Sequence, residues 1–472
     1  MTKSEIKQIC EQILQEVKPN EEERNRISMT VSKVISRLKS QIKLQGINAY
    51  PELEGSVAHG TWISGERDID IFILFPLQTP LDEVKKIGLV LGKNVSEGKW
   101  RERYAEHPFV EASIDDYRID IVPCYRISKY SERLTSVDRT PLHTKYLSES
   151  MKEDIKDDVI LLKAFMKGIG VYGAELRING FSGYLCELLI LQYGSFEKAI
   201  RNSLRWRTQE TIDIGRYYSD SETLRKVFAE PLILVDPIDP TRNVAAAVSS
   251  DRICILRGAA EVFLKHPSIK FFKPKVLEPM TSDQLKALMN SRGTDTLFIL
   301  IPCQKISPDT IWGELRKSLK AIKKLLDLNG FTAMNSDIWS DEETKAIMAI
   351  ELSSANLPLV RSHQGPMVGD PSQQKFLDKH LQNDKTVAGP WIKEGKWFVE
   401  LKRDFTNAKG LVETKLREGS PVAIGLSKDV GAWVKDGGRI FKNEEIVPLY
   451  DSNSSFAEFL TNYFRKLPSW LL

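Results

Sequence analysis

Apolar residues recur at helical spacing at the start of the chain: Ile6, Ile9, Ile13 and Val17 predict a helix over 4–17. A second helix is predicted to begin near Asn20, with Glu23 as its capping-box partner. It runs through Ile27, Val31, Val34, Ile35 and Leu38 toward a stop at Gly46. The period then changes. The run at 50–54, DIDIFILF, and the pair FVEASID and YRIDIVPCY alternate or are apolar throughout, which predicts strands. Two helices and a mixed sheet make a compact α+β domain over 1–147. From 148 to 268 the pattern is mainly helical: DIKDDVILLKAFMKG and FSGYLCELLILQYGSFEKAI are long and rich in helix formers. LILVDPIDPTRNVAAAV reads as a short strand, a proline-stiffened turn and a small-residue helix start.

Over 269–472 the pattern alternates again. LFILIPC predicts a buried strand, and DTIWGELRKSLKAIKKLLDLNGF an amphipathic helix striped by Leu315, Leu319, Ile322, Leu325 and Leu326. MAIELSSANLPLV and WFVELKRDF add strands, and this order predicts an α+β sandwich of the ferredoxin-like kind. The expected fold class is therefore α+β and multidomain, with no internal repeat and no low-complexity linker.

Composition narrows the class. With 472 residues, 42% hydrophobic and 28% charged, the chain suits several soluble globular domains. No apolar run approaches the roughly 18 residues of a membrane helix, and MTKSEIKQICEQILQEV lacks the basic start and apolar core of a secretory signal. A cytoplasmic protein with no membrane partner is expected. The five cysteines are scattered without a CxxC pair, which argues for buried free thiols over disulfides or a zinc knuckle. Because 67 basic and 64 acidic residues nearly cancel, any nucleic-acid surface must come from local clusters.

The candidate chemistry lies in Gly55-Ser56, in Asp68 and Asp70 of RDIDIF, and in Asp120 of RIDIVP. Side chains two apart on a strand share a face, so Asp68 and Asp70 project together while Ile69 and Ile71 enter the core. A DxD pair by itself is often a solvated surface pattern. The apolar residues around each acid instead predict a nearly buried strand, where carboxylates need partners. If the strand bearing Asp120 is a neighbour, three carboxylates supply oxygen ligands suited to Mg²⁺. Two ions held this way fit a two-metal transfer, with Gly55 and Ser56 offering backbone N–H groups and a hydroxyl to a triphosphate.

Read together, these residues resemble the polymerase-beta-like nucleotidyltransferase superfamily: Gly-Ser, a spacer, DxD or ExD, then a third acid on a later strand. More closely, GSVAHGTWISGERDIDIFILFP, RIDIVPCYRI, VDRTPLHTKYL, LLKAFMKGIGVYGAE, GFSGYLCELLILQYGSF, DPTRNVAAAVS and WIKEGKWFVELKRDF are similar to archaeal-type CCA-adding tRNA nucleotidyltransferases. The specific motifs lie within 118–195. The resemblance implies a nucleotidyltransferase head over 1–147, a helical neck binding nucleotide and tRNA over 148–268, and a tRNA-binding body and tail over 269–472. It also implies two Mg²⁺ ions, ATP and CTP as substrates, and tRNA as acceptor.

By the same resemblance Ser56 touches the triphosphate, while His143, Lys163 and Tyr172 contact the incoming nucleotide. Arg242 helps read the base, together with backbone phosphates of the RNA. Members of the family also carry glutamate at the first acid, where Asp68 is shorter by a methylene. His59 is given no role. Each nucleotide contact has an ordinary alternative: Lys163 as a solvated charge on an amphipathic helix, Tyr172 as a packing residue, His143 as a local cap.

Two motifs are decoys. The GxGxxG at 168–173 follows a helix rather than a strand and reads as a turn, and GLVLGKN has the wrong spacing for a phosphate loop. Basic clusters that could meet RNA backbone are RNSLRWR, the helix face Arg316, Lys317, Lys320, Lys323 and Lys324, and Lys270, Lys273 and Lys275 interleaved with Phe271 and Phe272. Solvated helix faces are the commoner explanation of such runs. Competing functions are a poly(A) polymerase or oligoadenylate-type synthetase, and a non-enzymatic RNA-binding protein on a degenerate scaffold. The sequence leaves the oligomeric state open, a homodimer included.

Overall fold

The computed structural model describes residues 2–104, 107–275, 277–304, 306–417 and 420–472. They form two compact units, Met1–Val276 with Pro468–Leu472, and Leu277–Leu467.

The first unit opens on α1 (Thr2–Val17) and α2 (Glu21–Leu44). The Asn20 side chain accepts the Glu23 amide at 2.8 Å to start α2, and Gly46 takes φ +62° just past its end. Then come β1 (Tyr50–Glu54), α3 (Gly55–His59), β2 (Asp68–Phe75), α4 (Leu81–Val95), β3 (Trp100–Tyr104), β4 (Pro108–Ile114) and β5 (Tyr117–Tyr125). The sheet runs β1-β2-β5-β4-β3, parallel between β2 and β5 and antiparallel elsewhere. Strand alternation divides it into two faces. Ile69, Ile71, Ile73, Ile119 and Ile121 pack with apolar residues of α2 and α4. The opposite face carries Phe72, Leu74, Val122 and Cys124, and its polar end carries the acids.

A helical part completes this unit: α5 (Thr140–Ser150), α6 (Glu153–Gly168), α7 (Gly183–Tyr193), α8 (Phe196–Ser203), β6 (Glu210–Ile212), α9 (Ser221–Val227), β7 (Leu232–Leu234) and α10 (Ser250–Lys265). Its core holds Phe165, Phe181, Phe196, Phe263, Phe271 and Phe272. Two expectations are corrected. The stretch around GYLCELLILQYGSFEKAI is two helices, because Gly194 adopts φ +83° and Ser195 caps α8. The segment 243–248 is turns rather than a helix start, because the Asn243 side-chain oxygen accepts the amides of Leu234 and Ala245, each at 2.9 Å. The helix begins only at Ser250, capped by Ser249.

Both glycine decoys turn out to serve packing. Gly88 and Gly92 lie within α4 where a Cβ would stand 2.4 Å from Pro123 and 2.8 Å from Val110, so α4 can approach the sheet. At Gly168 a Cβ would come 2.1 Å from the carbonyl oxygen of Phe271. Gly168→Ala should therefore destabilise the protein by about 1–3 kcal/mol through overpacking, as read by urea unfolding. An unchanged midpoint would reject this account.

The second unit contains α11 (Ser282–Ser291), β8 (Asp295–Pro302), α12 (Pro308–Leu328), β9 (Ala333–Ser340), β10 (Lys345–Leu352), β11 (Val360–Met367), α13 (Gln373–Leu381), β12 (Thr386–Lys393), β13 (Lys396–Lys402), α14 (Ala408–Arg417), α15 (Lys428–Gly437), β14 (Arg439–Lys442), α16 (Val447–Ser452) and α17 (Ser454–Arg465). The antiparallel sheet β14-β8-β10-β9, with α12 between β8 and β9 and α14–α15 before β14, has the expected ferredoxin-like order. A three-stranded sheet, β11-β13-β12, is inserted after β10. Leu315, Ile322 and Leu326 of α12 are buried against the main sheet, and Leu319 and Leu325 flank them. No helix among the described residues is long and apolar enough to cross a membrane.

The cysteines are free. Cys124 and Cys186 are buried as expected, whereas Cys254 on α10 is exposed. Phe271 and Phe272 are core residues, Lys270 bonds the carbonyl oxygen of Leu472, and Lys273 pairs with Glu16. Lys270 and Lys273 are thus tied to the fold, while Lys275 is exposed. Trp206 of RNSLRWR is likewise buried, donating to the Tyr193 hydroxyl at 3.1 Å.

Candidate active site

The parallel pairing of β2 with β5 sets Asp70 directly beside Asp120, and Asp68 beside Arg118. The register extends this row. Glu54 on β1 pairs with Asp70, and Glu111 on β4 pairs with Asp120. Paired residues share a face, so four carboxylates cross four adjacent strands. Sequence reasoning found only the middle two, because Glu54 and Glu111 join the row through register alone.

Crowding like charges in a buried place raises their proton affinity. Burial, then the charge of Asp68, raises Asp70 to about 6. Burial, then Asp70, raises Asp120 to about 7, and burial raises Glu54 to about 8. Asp120 keeps one buried carboxylate oxygen without a hydrogen-bond partner. Glu111 is instead neutralised by Arg103 at 3.1 Å. The Asp68 carboxylate is held by Arg118 at 2.9 Å, and among the described residues no group of three His, Cys, Asp or Glu side chains stands ready around one metal position. The donor set still suits a hard divalent cation: carboxylate oxygens only, with one of Asp120 and both of Glu54 buried and unpartnered, in a row whose repulsion a cation relieves.

Asp70 opens onto a cavity of about 480 Å³ that also meets Gly55, Ser56, His143, Lys163, Tyr172 and Arg242. Every sequence-predicted site residue except Asp68 and Asp120 therefore lines one cavity, and those two adjoin Asp70 on the sheet. Gly55 has φ +70°, and a Cβ there would stand 2.4 Å from Asp70 Oδ2, so a glycine is required.

Lys163 is 1% exposed, which overturns its reading as a solvated charge. Its Nζ donates to Glu187 Oε1 at 3.1 Å, to the Thr61 hydroxyl at 3.1 Å and to the Thr61 carbonyl at 3.2 Å. His59 Nδ1 lies 3.2 Å from the same Glu187 oxygen, and its Nε2 lies 3.3 Å from the Thr144 hydroxyl. Burial would raise Glu187, but the adjacent Lys163 charge and the bonds from His59 and Thr61 outweigh it and hold the acid at about 2. Glu187 was legible only as an acid inside GYLCELLIL, a setting where a charge must be paired.

A second buried acid organises the opposite side. Asp236, fully buried, accepts from His143 Nε2 at 2.8 Å and from Arg242 at 2.8 Å. Those partners overcome its burial and keep it ionised, whereas burial holds His143 below its ordinary value despite Asp236. The Tyr184 ring lies 4.2 Å from the His143 ring. Tyr172 is mostly buried, and burial raises its hydroxyl far above the ordinary range, so it acts as a neutral hydrogen-bonding group. Away from this site, Arg316, Lys320, Lys323 and Lys324 of α12 line a broader cavity of about 610 Å³ in the second unit.

Comparison with known proteins adds the family. The model of the nucleotidyltransferase domain matches residues 31–143, that of the tRNA nucleotidyltransferase second domain 157–273, and that of the CCA-adding enzyme C-terminal domain 292–443. A CCA-adding enzyme of Methanothermobacter thermautotrophicus is 36% identical over 452 residues, 95% of this chain and 96% of that one. One from Pyrobaculum aerophilum is 38% identical over 428 residues, covering 88% and 95%. One from Methanosarcina mazei is 36% identical over 445 residues, covering 93% and 95%.

Proposed function

The chain belongs to the CCA-adding enzymes, and from that premise we propose that its 480 Å³ cavity adds C, C and A to tRNA 3′ ends from CTP and ATP. It is a nucleotidyltransferase by family. The observation that carries the site is the carboxylate row opening, at Asp70, onto a cavity lined by Ser56, Lys163, His143 and Arg242.

In this reading the tRNA 3′-oxygen attacks the α-phosphorus, the new ester bond forms, and the bond to pyrophosphate breaks. Asp68, Asp70 and Asp120 would hold two Mg²⁺ ions, which when bound acidify the attacking hydroxyl and neutralise phosphate charge. Gly55 lets the chain pass close to Asp70, and Ser56 offers its hydroxyl to the triphosphate. Lys163, paired with Glu187, lines the cavity and would turn an N–H from Thr61 toward the phosphates, and Tyr172 and neutral His143 add hydrogen bonds. Arg242, steered by Asp236, presents its guanidinium to the base. We assign catalysis to 1–147, nucleotide and tRNA contacts to 148–268, and further tRNA contacts to 269–472, in a cytoplasmic enzyme.

The test is sequencing of products from tRNA lacking its CCA end, with Mg²⁺ and with CTP and ATP supplied separately and together. Ordered C, C, A addition is expected. Long A tails from ATP alone would favour the poly(A) polymerase reading, which the CCA-adding C-terminal match disfavours.

A pH prediction follows from the acids. Since Asp70 and Asp120 ionise near 6 and 7 without metal, protons compete for the ligand oxygens below neutrality. Calorimetric titration with Mn²⁺ should show affinity falling at least about tenfold from pH 8 to pH 6. Equal affinity at both would exclude these carboxylates as ligands.

A further inference from the structure

The second unit holds a cavity of about 280 Å³ that the catalytic reading does not use, between the end of α12, α13 and the strands β11 and β13. Arg361, Lys379, Lys402 and Arg403 bring positive charge to it, and His363 and His380 add imidazoles. Asp404, the one acid among the described lining residues, is paired with Lys385. The lining is thus rich in donors and poor in acceptors.

The buried donors are incomplete. His380 is 2% exposed, and neither of its ring nitrogens has a hydrogen-bond partner. Arg403 donates through Nη1 to the Asn329 carbonyl at 3.0 Å, yet its Nε is also buried and unpartnered. Folded proteins rarely leave such groups unsatisfied, because each costs stability that no internal contact returns. A ligand rich in acceptor oxygens would accept from Arg403 Nε and from the one N–H of a neutral His380. The charges of Arg361, Lys379, Lys402 and Arg403 repel a cation here. Burial and the charges of Arg361 and Lys379 hold His363 low, and burial, His363 and Lys379 do the same to His380, so both imidazoles are neutral.

We propose that this cavity binds a phosphate group through His380, Arg403 and the flanking Arg361 and Lys402. A tetrahedral anion offers several acceptors to donors converging from α13, β11 and β13, and guanidinium suits it geometrically. The cavity also borders the basic face of α12, because Leu328 lines both. The phosphate could be a free ion or a phosphodiester of the RNA strand. This site lies wholly in the second unit, so the proposal stands or falls apart from the catalytic assignment.

The experiment uses full-length protein with its six histidines labelled in the ring, read by carbon–proton correlation NMR. It is titrated with inorganic phosphate and with an RNA minihelix, against sodium chloride at matched ionic strength. A saturable displacement of the His363 and His380 signals by either probe, with His266 unmoved by inorganic phosphate, is expected. In the double variant Arg361→Ala, Lys402→Ala, whose positions are exposed and should leave the fold intact, binding weakens at least about tenfold. Displacement by phosphate alone identifies a small anion, and displacement by RNA identifies a backbone phosphodiester. Rings unmoved by both probes, moved equally by chloride, or equally responsive in the double variant overturn the proposal.

Discussion

Asp70→Ala should abolish nucleotide incorporation, lowering it by at least about 10³-fold, while tRNA binding persists. Asp70 occupies the centre of the carboxylate row, flanked in register by Glu54 and Asp120, and it alone of the three aspartates lines the cavity. The same substitution should strengthen the metal-free fold. Its acid is raised to about 6, so the folded state binds the proton more tightly than the unfolded chain. That contribution is complete below the unfolded value of about 4 and is lost as pH rises through about 6. At pH 8 the wild type therefore carries an unfavourable charge that the variant lacks. Urea unfolding in chelator at pH 8 should show a gain on the order of 2 kcal/mol, shrinking toward pH 4. Activity lost together with stability would mean that Asp70 is structural, and activity retained would remove it from the catalytic assignment.

Glu187→Ala should produce the largest loss of stability, about 3–5 kcal/mol, because it strands a buried Lys163 and the adjoining His59. Here the sign is opposite. Glu187 is held at about 2, so its contribution is present above the unfolded carboxylate value and is lost as pH falls through about 2. Urea midpoints near neutrality should separate variant from wild type. Glu187→Leu, which refills the volume, should leave Lys163 just as unpaired. The double change Glu187→Leu, Lys163→Met should recover much of the fold but none of the nucleotide affinity. A single variant as stable as wild type would show that the pair is not needed to hold these helices.

The aspartates and the lysine mark how far the chain could be read in one dimension. Alternation in DIDIFILF placed Asp68 and Asp70 on one face, since a strand's period of two is local geometry. The acid pairing across β2 and β5 followed once the strands were neighbours. Glu54 and Glu111 had no such signal, because register depends on hydrogen bonding between segments distant in sequence. Lys163 misled in the other direction. Helical spacing cannot tell a solvated lysine from one whose partners, Thr61 and Glu187, arrive from 102 positions before it and 24 after.

By itself the sequence determined most of the element types, the Gly-Ser and DxD chemistry and the family resemblance, because local periodicity and short motifs are written within a few residues; the break at Gly194 and the turns at 243–248 were not among them. Only the tertiary structure decided which acids stand side by side, which cations are buried and paired, and that Asp236 governs both His143 and Arg242. Those outcomes rest on burial and distance, which raise or lower each charge's cost only after the chain has closed around it.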